Sequence, residues 1–204
     1  MNTRDELDDT ELLRSMLTGD EEALVLLYRR RQGSIYRFAY QMSGSATLAE
    51  DVTQEVFLFL MRDGRLFDPN RGSVSSFLLG VTRNYVLRKL RGEQVLTSLS
   101  NDTDDEVPDN QISNEMSPLD DLTRAESIES VRRAVLSLPE RYREVVVLCE
   151  LQEMSYGEAA DVLGCAIGTV RSRLHRARAL LLNKLGPVRA EPSAATVKSA
   201  RCFA

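Results

Sequence analysis

Residues 155–178 read SYGEAADVLGCAIGTVRSRLHRAR and leave the chain little freedom in how they fold. Ser155 and Glu158 stand three apart, the spacing at which a serine caps a helix and a glutamate answers it. Gly164 then stops the helix, because glycine enters the left-handed conformation that closes one without strain. A second helix is expected from near Thr169 toward Lys184. At about 100° per residue, Val170, Leu174, Ala177 and Leu181 fall on one stripe and face a core. Ser172, His175, Arg176 and Ala179 point the other way, and Arg171 and Arg173 flank the stripe. The outward face is small, polar or basic. Side chains of that kind suit entry into a major groove about 12 Å wide. A short helix, a tight turn and a longer basic helix make a helix-turn-helix.

A formal net charge of −5 does not suggest a nucleic-acid binder, but its distribution does. Residues 62–94 hold seven basic residues (Arg62, Arg65, Arg71, Arg83, Arg88, Lys89, Arg91) against three acids, and residues 166–182 hold four arginines and no acid. The negative charge gathers elsewhere, notably in 101–126. Salt screens beyond about 8–10 Å, so the local field governs phosphate attraction and the total does not.

The rest of the chain reads as helices broken by polar turns. Thr10 is expected to cap a first helix that Gly19 stops, and Asp20 to cap a second, with Ala23, Leu24, Leu27 and Tyr28 on one face. Gly44 breaks the pattern, and Ser45 or Thr47 opens a helix carrying Leu48, Val52, Val56, Phe59 and Leu60. FDPNRGSVSS is turn chemistry, and a long helix follows over 74–91. Residues 98–125, rich in Asp, Asn and Ser, read as a flexible acidic linker. Helical spacing returns at 126, with Val131, Val135 and Leu138 on one face and Pro139 at a helix start. Residues 187–204 carry no readable motif and are expected to be a disordered tail. The expected fold is all-α: two small helical domains, 1–97 and 126–186, joined by the linker, the second a helix-turn-helix domain.

No apolar run approaches the roughly 18 residues of a membrane span. The N-terminus MNTRDELDDTELL is acidic where a secretory signal needs a basic start, so a cytoplasmic protein is expected. Cys149, Cys165 and Cys202 form no C-x-x-C pair, and His175 is the one histidine. No metal site and no cofactor are expected. Paired catalytic carboxylates, a nucleophile–histidine arrangement and a phosphate-binding glycine loop are all missing, so the chain does not read as an enzyme.

The motifs also carry a resemblance. LPERYREVVVL together with MSYGEAADVLGCAIGTVRSRLHRARALL resembles region four of the extracytoplasmic-function sigma factors, a class of the sigma-70 family. GDEEALVLLYRRRQGSIYRFAY, AEDVTQEVFLFLMR and FLLGVTRNYVLRKLR resemble region two, in the expected order. The resemblance implies a transcription initiation factor that binds core RNA polymerase and promoter DNA, and such factors often have an anti-sigma partner. It places polymerase docking on the helix AEDVTQEVFLFL, with Asp51, Gln54, Glu55 and Leu58 as contacts. Their i, i+3, i+4, i+7 spacing puts these four on one stripe. Phe57 suits either core or docking. The resemblance gives the minus-ten element to the loop 68–76 and the helix after it. Phe77 lies there, Asn84 reads a base edge, and Arg83, Arg88, Lys89 and Arg91 hold the backbone. The upstream, minus-thirty-five element falls to Thr169, Arg171, Ser172, Arg173, His175 and Arg176. Two positions depart from the family pattern: its tryptophan near Phe77 is absent, and Arg88 stands where an aspartate is common. The competing reading is a helix-turn-helix repressor or a response-regulator-like protein. It would need a ligand or phosphoacceptor domain in front, and the N-terminal half has no strand–acidic-loop pattern.

Overall fold

The computed structural model describes residues 7–100 and 119–185, with side chains over 7–92 and 126–185. The acidic segment 98–125 and the tail 187–204 therefore lie largely or wholly outside the described residues. Eight α-helices follow one another among those described: α1 Asp9–Leu17, α2 Glu21–Ser43, α3 Ala46–Asp63, α4 Val74–Ser100, α5 Leu119–Leu136, α6 Glu140–Val146, α7 Tyr156–Leu163 and α8 Ile167–Leu185. Two 3-10 turns, Gly64–Leu66 and Pro69–Arg71, join α3 to α4. A π-type turn, Val147–Leu151, extends α6. No described helix is long and apolar enough to cross a membrane.

Local chemistry sets most of the boundaries. The Asp20 carboxylate accepts from the Glu22 and Ala23 amides, Ser45 from Leu48, and Ser155 from Glu158. Gly44 and Gly164 close α2 and α7 with φ of 75° and 61°. The first helix departs from expectation. Asp8 caps it in a complete capping box with Glu11, and Thr10 lies inside the first turn. An aspartate followed three residues on by glutamate is as good a box as a serine. Three more boundaries differ from the reading above: α8 begins at Ile167, α4 continues past Arg91 to Ser100, and α5 begins at Leu119, inside the stretch 98–125 expected to be a flexible linker.

Helices α1 to α4 pack around Leu12, Leu27, Ile35, Phe38, Met42, Val52, Val56, Leu60 and Leu78, all essentially inaccessible to solvent. Phe57 is buried against the Tyr28 ring at 4.7 Å, which makes it core. Helices α5 to α8 enclose Leu138, Val145, Leu148, Ala159, Val170, Leu174 and Ala177. The stripe derived for α8 thus faces inward, with Leu181 partly buried at its far end. Val131 does not join Val135 and Leu138 in the core but is exposed.

The two halves form one continuous apolar cluster, with α7 against α4 and α5 against α2. Polar contacts line the seam. Arg143 donates to the Met42 carbonyl at 2.6 Å, to the Leu138 carbonyl at 3.1 Å and to the Leu136 carbonyl. Gln152 donates to Gln41 at 3.1 Å, and the Arg132 guanidinium lies 4.7 Å over the Tyr40 ring. A Cβ on Gly44 would meet Leu136 Cδ1 at 2.9 Å.

Three substitutions test this packing. Leu174→Ala should lower stability by about 2–5 kcal/mol by opening a core cavity. Arg176→Ala, on the exposed face, should leave the melting temperature within a degree or two of wild type, on the order of a surface change. Gly44→Ala should destabilise by more than about 1 kcal/mol, because it combines left-handed strain with a clash. Thermal melts of the three variants check the set.

Candidate nucleic-acid interface

Helix α4 begins where the FDPNRGSVSS loop ends. Asp68 accepts from the Asn70 amide and side chain at 3.0 Å, the Asx geometry expected of Asp68-Pro69-Asn70. Gly72 holds φ at 139°, a conformation L side chains rarely adopt. The Ser73 hydroxyl accepts from the Ser76 amide and fixes the start of α4. The loop and the first turns of α4 enclose a cavity of about 330 Å³, with Phe67, Gly72, Ser76, Phe77 and Asn84 among its lining residues. Phe77 is half-buried, with its ring 5.6 Å from Phe67 and 6.3 Å from Phe59. Asn84 is exposed at the cavity edge, with its amide accessible. Phe77 and Asn84 thus lie together. The cavity also touches Asp161 and Val162 of α7, so the C-terminal half forms part of its wall.

The four cations on α4 stand in two groups, each held by carboxylates. Lys89 reaches Asp51 at 3.2 Å and Glu55 at 3.3 Å, and Arg88 reaches Glu55 at 3.3 Å. Burial lowers the Lys89 pKa, but the hydrogen bonds it donates to Asp51 and Glu55 outweigh it and leave the ammonium above its usual value. Arg88 also lies 4.6 Å over the Tyr85 ring. Arg83 pairs with Glu144 at 2.6 Å and Arg91 with Glu140 at 3.4 Å, both acids belonging to α6. Glu144 is 2% exposed, a buried charge that sequence reasoning did not single out. Its place among apolar neighbours in YREVVVL was the available signal, since a glutamate there has to find a cation.

On α3, Asp51, Gln54 and Leu58 are exposed and Glu55 is half-exposed, on the face away from Val52 and Val56. Leu58 is 64% exposed, and Met61, at 55%, continues that stripe as an apolar residue that the sequence reading left out. Asp51 and Glu55 are not free solvated acids, since both touch α4.

On α8, Arg171, Ser172, His175 and Arg176 are exposed, and Thr169 and Arg173 are half-buried. The Ser172 hydroxyl donates to the Thr169 carbonyl at 3.1 Å. Arg171 lies 5.8 Å over the Tyr156 ring, which links the recognition face to the start of α7. The Arg176 guanidinium beside the Tyr142 hydroxyl, opposed by burial and aided by Arg141, lowers the phenol's pKa. Arg178, also basic, turns back to Glu150 at 3.0 Å. Among the described residues no group of histidine, cysteine and acid side chains has the spacing to hold a metal ion.

Comparison with known proteins gives these surfaces a family. Residues 27–95 match the family model described as Sigma-70 region 2, and residues 128–181 match Sigma-70, region 4. The chain is 35% identical over 188 residues to the ECF RNA polymerase sigma factor SigE of Mycolicibacterium smegmatis, covering 90% of this chain and 69% of that one. It is 30% identical over 195 residues to the ECF RNA polymerase sigma-E factor of Escherichia coli, covering 90% and 97%. Its fold is similar to that of CnrH in complex with the cytosolic domain of CnrY, with a TM-score of 0.65, 25% identity and coverage of 87% of this chain and 96% of that one. It is also similar to the sigma factor RpoE in complex with the anti-sigma factor NepR from Bartonella quintana, with a TM-score of 0.58, 26% identity and coverage of 78% and 93%. Two helical regions in this order, and relatives of this identity along most of the chain, place the protein in the extracytoplasmic-function class of sigma-70 family RNA polymerase sigma factors.

Proposed function

We propose that the chain binds core RNA polymerase through the exposed face of α3, opens promoter DNA with the loop 68–76 and α4, and reads the upstream duplex with α8. One observation carries the reading: α3, α4 and α8 each bury one stripe and leave another whose chemistry matches its task. The α3 stripe is mixed acidic and apolar, suited to a protein partner. The α4 surface combines a cavity of nucleobase scale with cations for a single strand. An unpaired base gains about 1–3 kcal/mol by stacking on an aromatic ring, and Phe77 and Phe67 are the rings at hand. Asn84 offers both donor and acceptor to a base edge. The α8 face places Arg171, Ser172, His175 and Arg176 toward a groove, where arginine pairs two-pronged with guanine and serine hydroxyls suit either bases or phosphates.

An anti-sigma partner belongs to the same reading. The RpoE of Bartonella quintana similar to this chain was solved with one. The decisive experiment is transcription by core polymerase on fragmented genomic DNA, with and without the protein. New, discrete start sites that depend on the protein are expected. A preparation that neither binds core polymerase nor yields new starts would sink the proposal and return the chain to a stand-alone helix-turn-helix regulator.

Two variants apportion the work. Asp51→Lys with Glu55→Lys should weaken core-polymerase binding at least about tenfold, the scale of lost charge complementarity at an interface. Because these acids also hold Lys89 and Arg88, a melting curve of the same variant separates lost docking from lost fold. Asn84→Ala should change preference at the minus-ten element by about 1–3 kcal/mol at one base while leaving upstream duplex affinity unchanged. Competition between base-substituted promoters reads the first effect, and titration of the upstream duplex reads the second.

A further inference from the structure

The stretch that carries the loop beside Phe77 is anchored at both ends by α1, once directly and once through α2. At the near end Gly64 is buried, and a Cβ built on it would lie 3.4 Å from both Leu13 and Leu17 of α1. At the far end Ser75, in the first turn of α4, accepts a hydrogen bond from the Arg31 guanidinium of α2 at 3.3 Å. Between the two anchors residues 68–71 are exposed. Arg31 is itself held. Its Nε donates to the Asp9 carboxylate, which also takes the Arg30 guanidinium at 3.3 Å. Asp9 is the first residue of α1, fixed there by the capping box of Asp8 and Glu11. Its side chain is only 11% exposed, so the acid has little water to turn to and depends on these cations. A guanidinium carries its donors in a rigid fork, and here two of its nitrogens reach different helices, Nε to α1 and a terminal nitrogen to α4. Asp9 thereby sets the direction from which Arg31 meets Ser75. Ser75 lies beside Ser76, whose amide donates to the Ser73 hydroxyl, and two residues before Phe77. A shift of Ser75 therefore moves the loop stem and the ring together.

We propose that Arg31, oriented by Asp9, is a positioning residue for minus-ten recognition: it fixes the stem of the loop 68–76 against α1 and so sets where Phe77 and Asn84 meet an unpaired base. The inference rests on the proposed reading in taking that loop and α4 as the strand-reading surface. Neither Asp9 nor Arg31 needs to touch DNA for this. Arg31→Lys keeps the charge, but an ammonium on a flexible stem does not hold Asp9 and Ser75 in one fixed geometry. Arg30 has a different task, because it ties the same carboxylate to the Leu7 carbonyl, at 2.6 Å, within the N-terminal segment.

The test compares Arg31→Lys, Ser75→Ala and Arg30→Lys with wild type, each as the full chain. Amide hydrogen exchange is followed along the molecule. Selectivity of the holoenzyme is read by competition between versions of one promoter from which wild type starts, each with one base of the minus-ten element changed. Arg31→Lys should quicken exchange in residues 68–77 at least about fivefold, the scale of one lost hydrogen bond, and leave α6 to α8 unchanged. Its discrimination among minus-ten bases should fall by a similar factor, while its affinity for the upstream duplex stays at the wild-type value. Ser75→Ala should move both readouts the same way, and adding it to Arg31→Lys should change neither further, because the two act through one contact. Arg30→Lys should stay within about twofold of wild type in both, as an exchange of one partly exposed cation for another. Wild-type exchange in the loop of Arg31→Lys overturns the proposal. So does exchange that quickens equally in α3 and α8, the mark of general destabilisation, and so does a quickened loop with discrimination intact. Should Arg31→Lys fail to fold, Ser75→Ala, which removes one hydroxyl and no charge, decides by the same two readouts. A wild type that starts no transcription overturns the proposed function and this inference with it, and is recognised before any variant is compared.

Discussion

The arrangement of the two halves depends on one guanidinium. Arg143 sits in the first turn of α6, half-buried, and donates to three carbonyls: Met42 at the end of α2, Leu136 at the end of α5 and Leu138 in the turn that follows. Helix ends leave carbonyls without intrahelical partners, and a buried one has to be satisfied. One side chain does this for two helices and a turn at once. Burial lowers the arginine's pKa, with Glu140 opposing, and its Nε finds no partner. A charge held under those terms is weak evidence for stability but strong evidence for a fixed geometry, since few placements satisfy three carbonyls together. Gly44 completes the joint: only a residue without a Cβ lets the α2 end approach Leu136 so closely.

Around that joint, α4 is compressed between two acidic neighbours. On one side α3 offers Asp51 and Glu55, on the other α6 offers Glu140 and Glu144. Arg88, Arg91 and Lys89 are partly exposed pairs of the kind worth at most about 1 kcal/mol. Arg83 and Glu144 differ: the carboxylate is buried, and removing one partner strands the other in an apolar site. The helix thus carries cations that are paired but cheaply unpaired, except at one position. Such a surface keeps its charges apart in the folded chain without consuming them.

Much of this was legible in the sequence. The capping box at Ser155 and Glu158, the left-handed glycines and the inward stripe of α8 follow from local rules, because each involves residues within one or two helical turns. The first cap differs from expectation for a local reason too: Asp8 and Glu11 form as good a box as any serine pair, two residues before Thr10. The individual surfaces were also within reach, since helical spacing alone separates Asp51, Gln54, Glu55 and Leu58 from the core of α3. What spacing does not carry is which face of one half meets the other. The partners of Arg83, Arg91 and Arg143 lie 61, 49 and 101 residues away. Val131, placed by periodicity in the core, instead lines an apolar groove with Tyr40 and Leu151, because α5 meets α2 along a neighbouring face.

The sharing of Asp51 and Glu55 between two tasks has a thermodynamic consequence. Under the proposed roles, a polymerase that engages these carboxylates competes with Lys89 and Arg88 for them. Cations released from α3 become available to a strand on α4, so docking raises affinity for DNA without any change of shape. Linkage makes the coupling reciprocal: a strand that takes Lys89 and Arg88 frees the carboxylates and tightens docking by the same factor. Two ligands that never touch one another would then cooperate through two cationic side chains that share two acids, and added salt would erode that cooperation before it dissolved either complex.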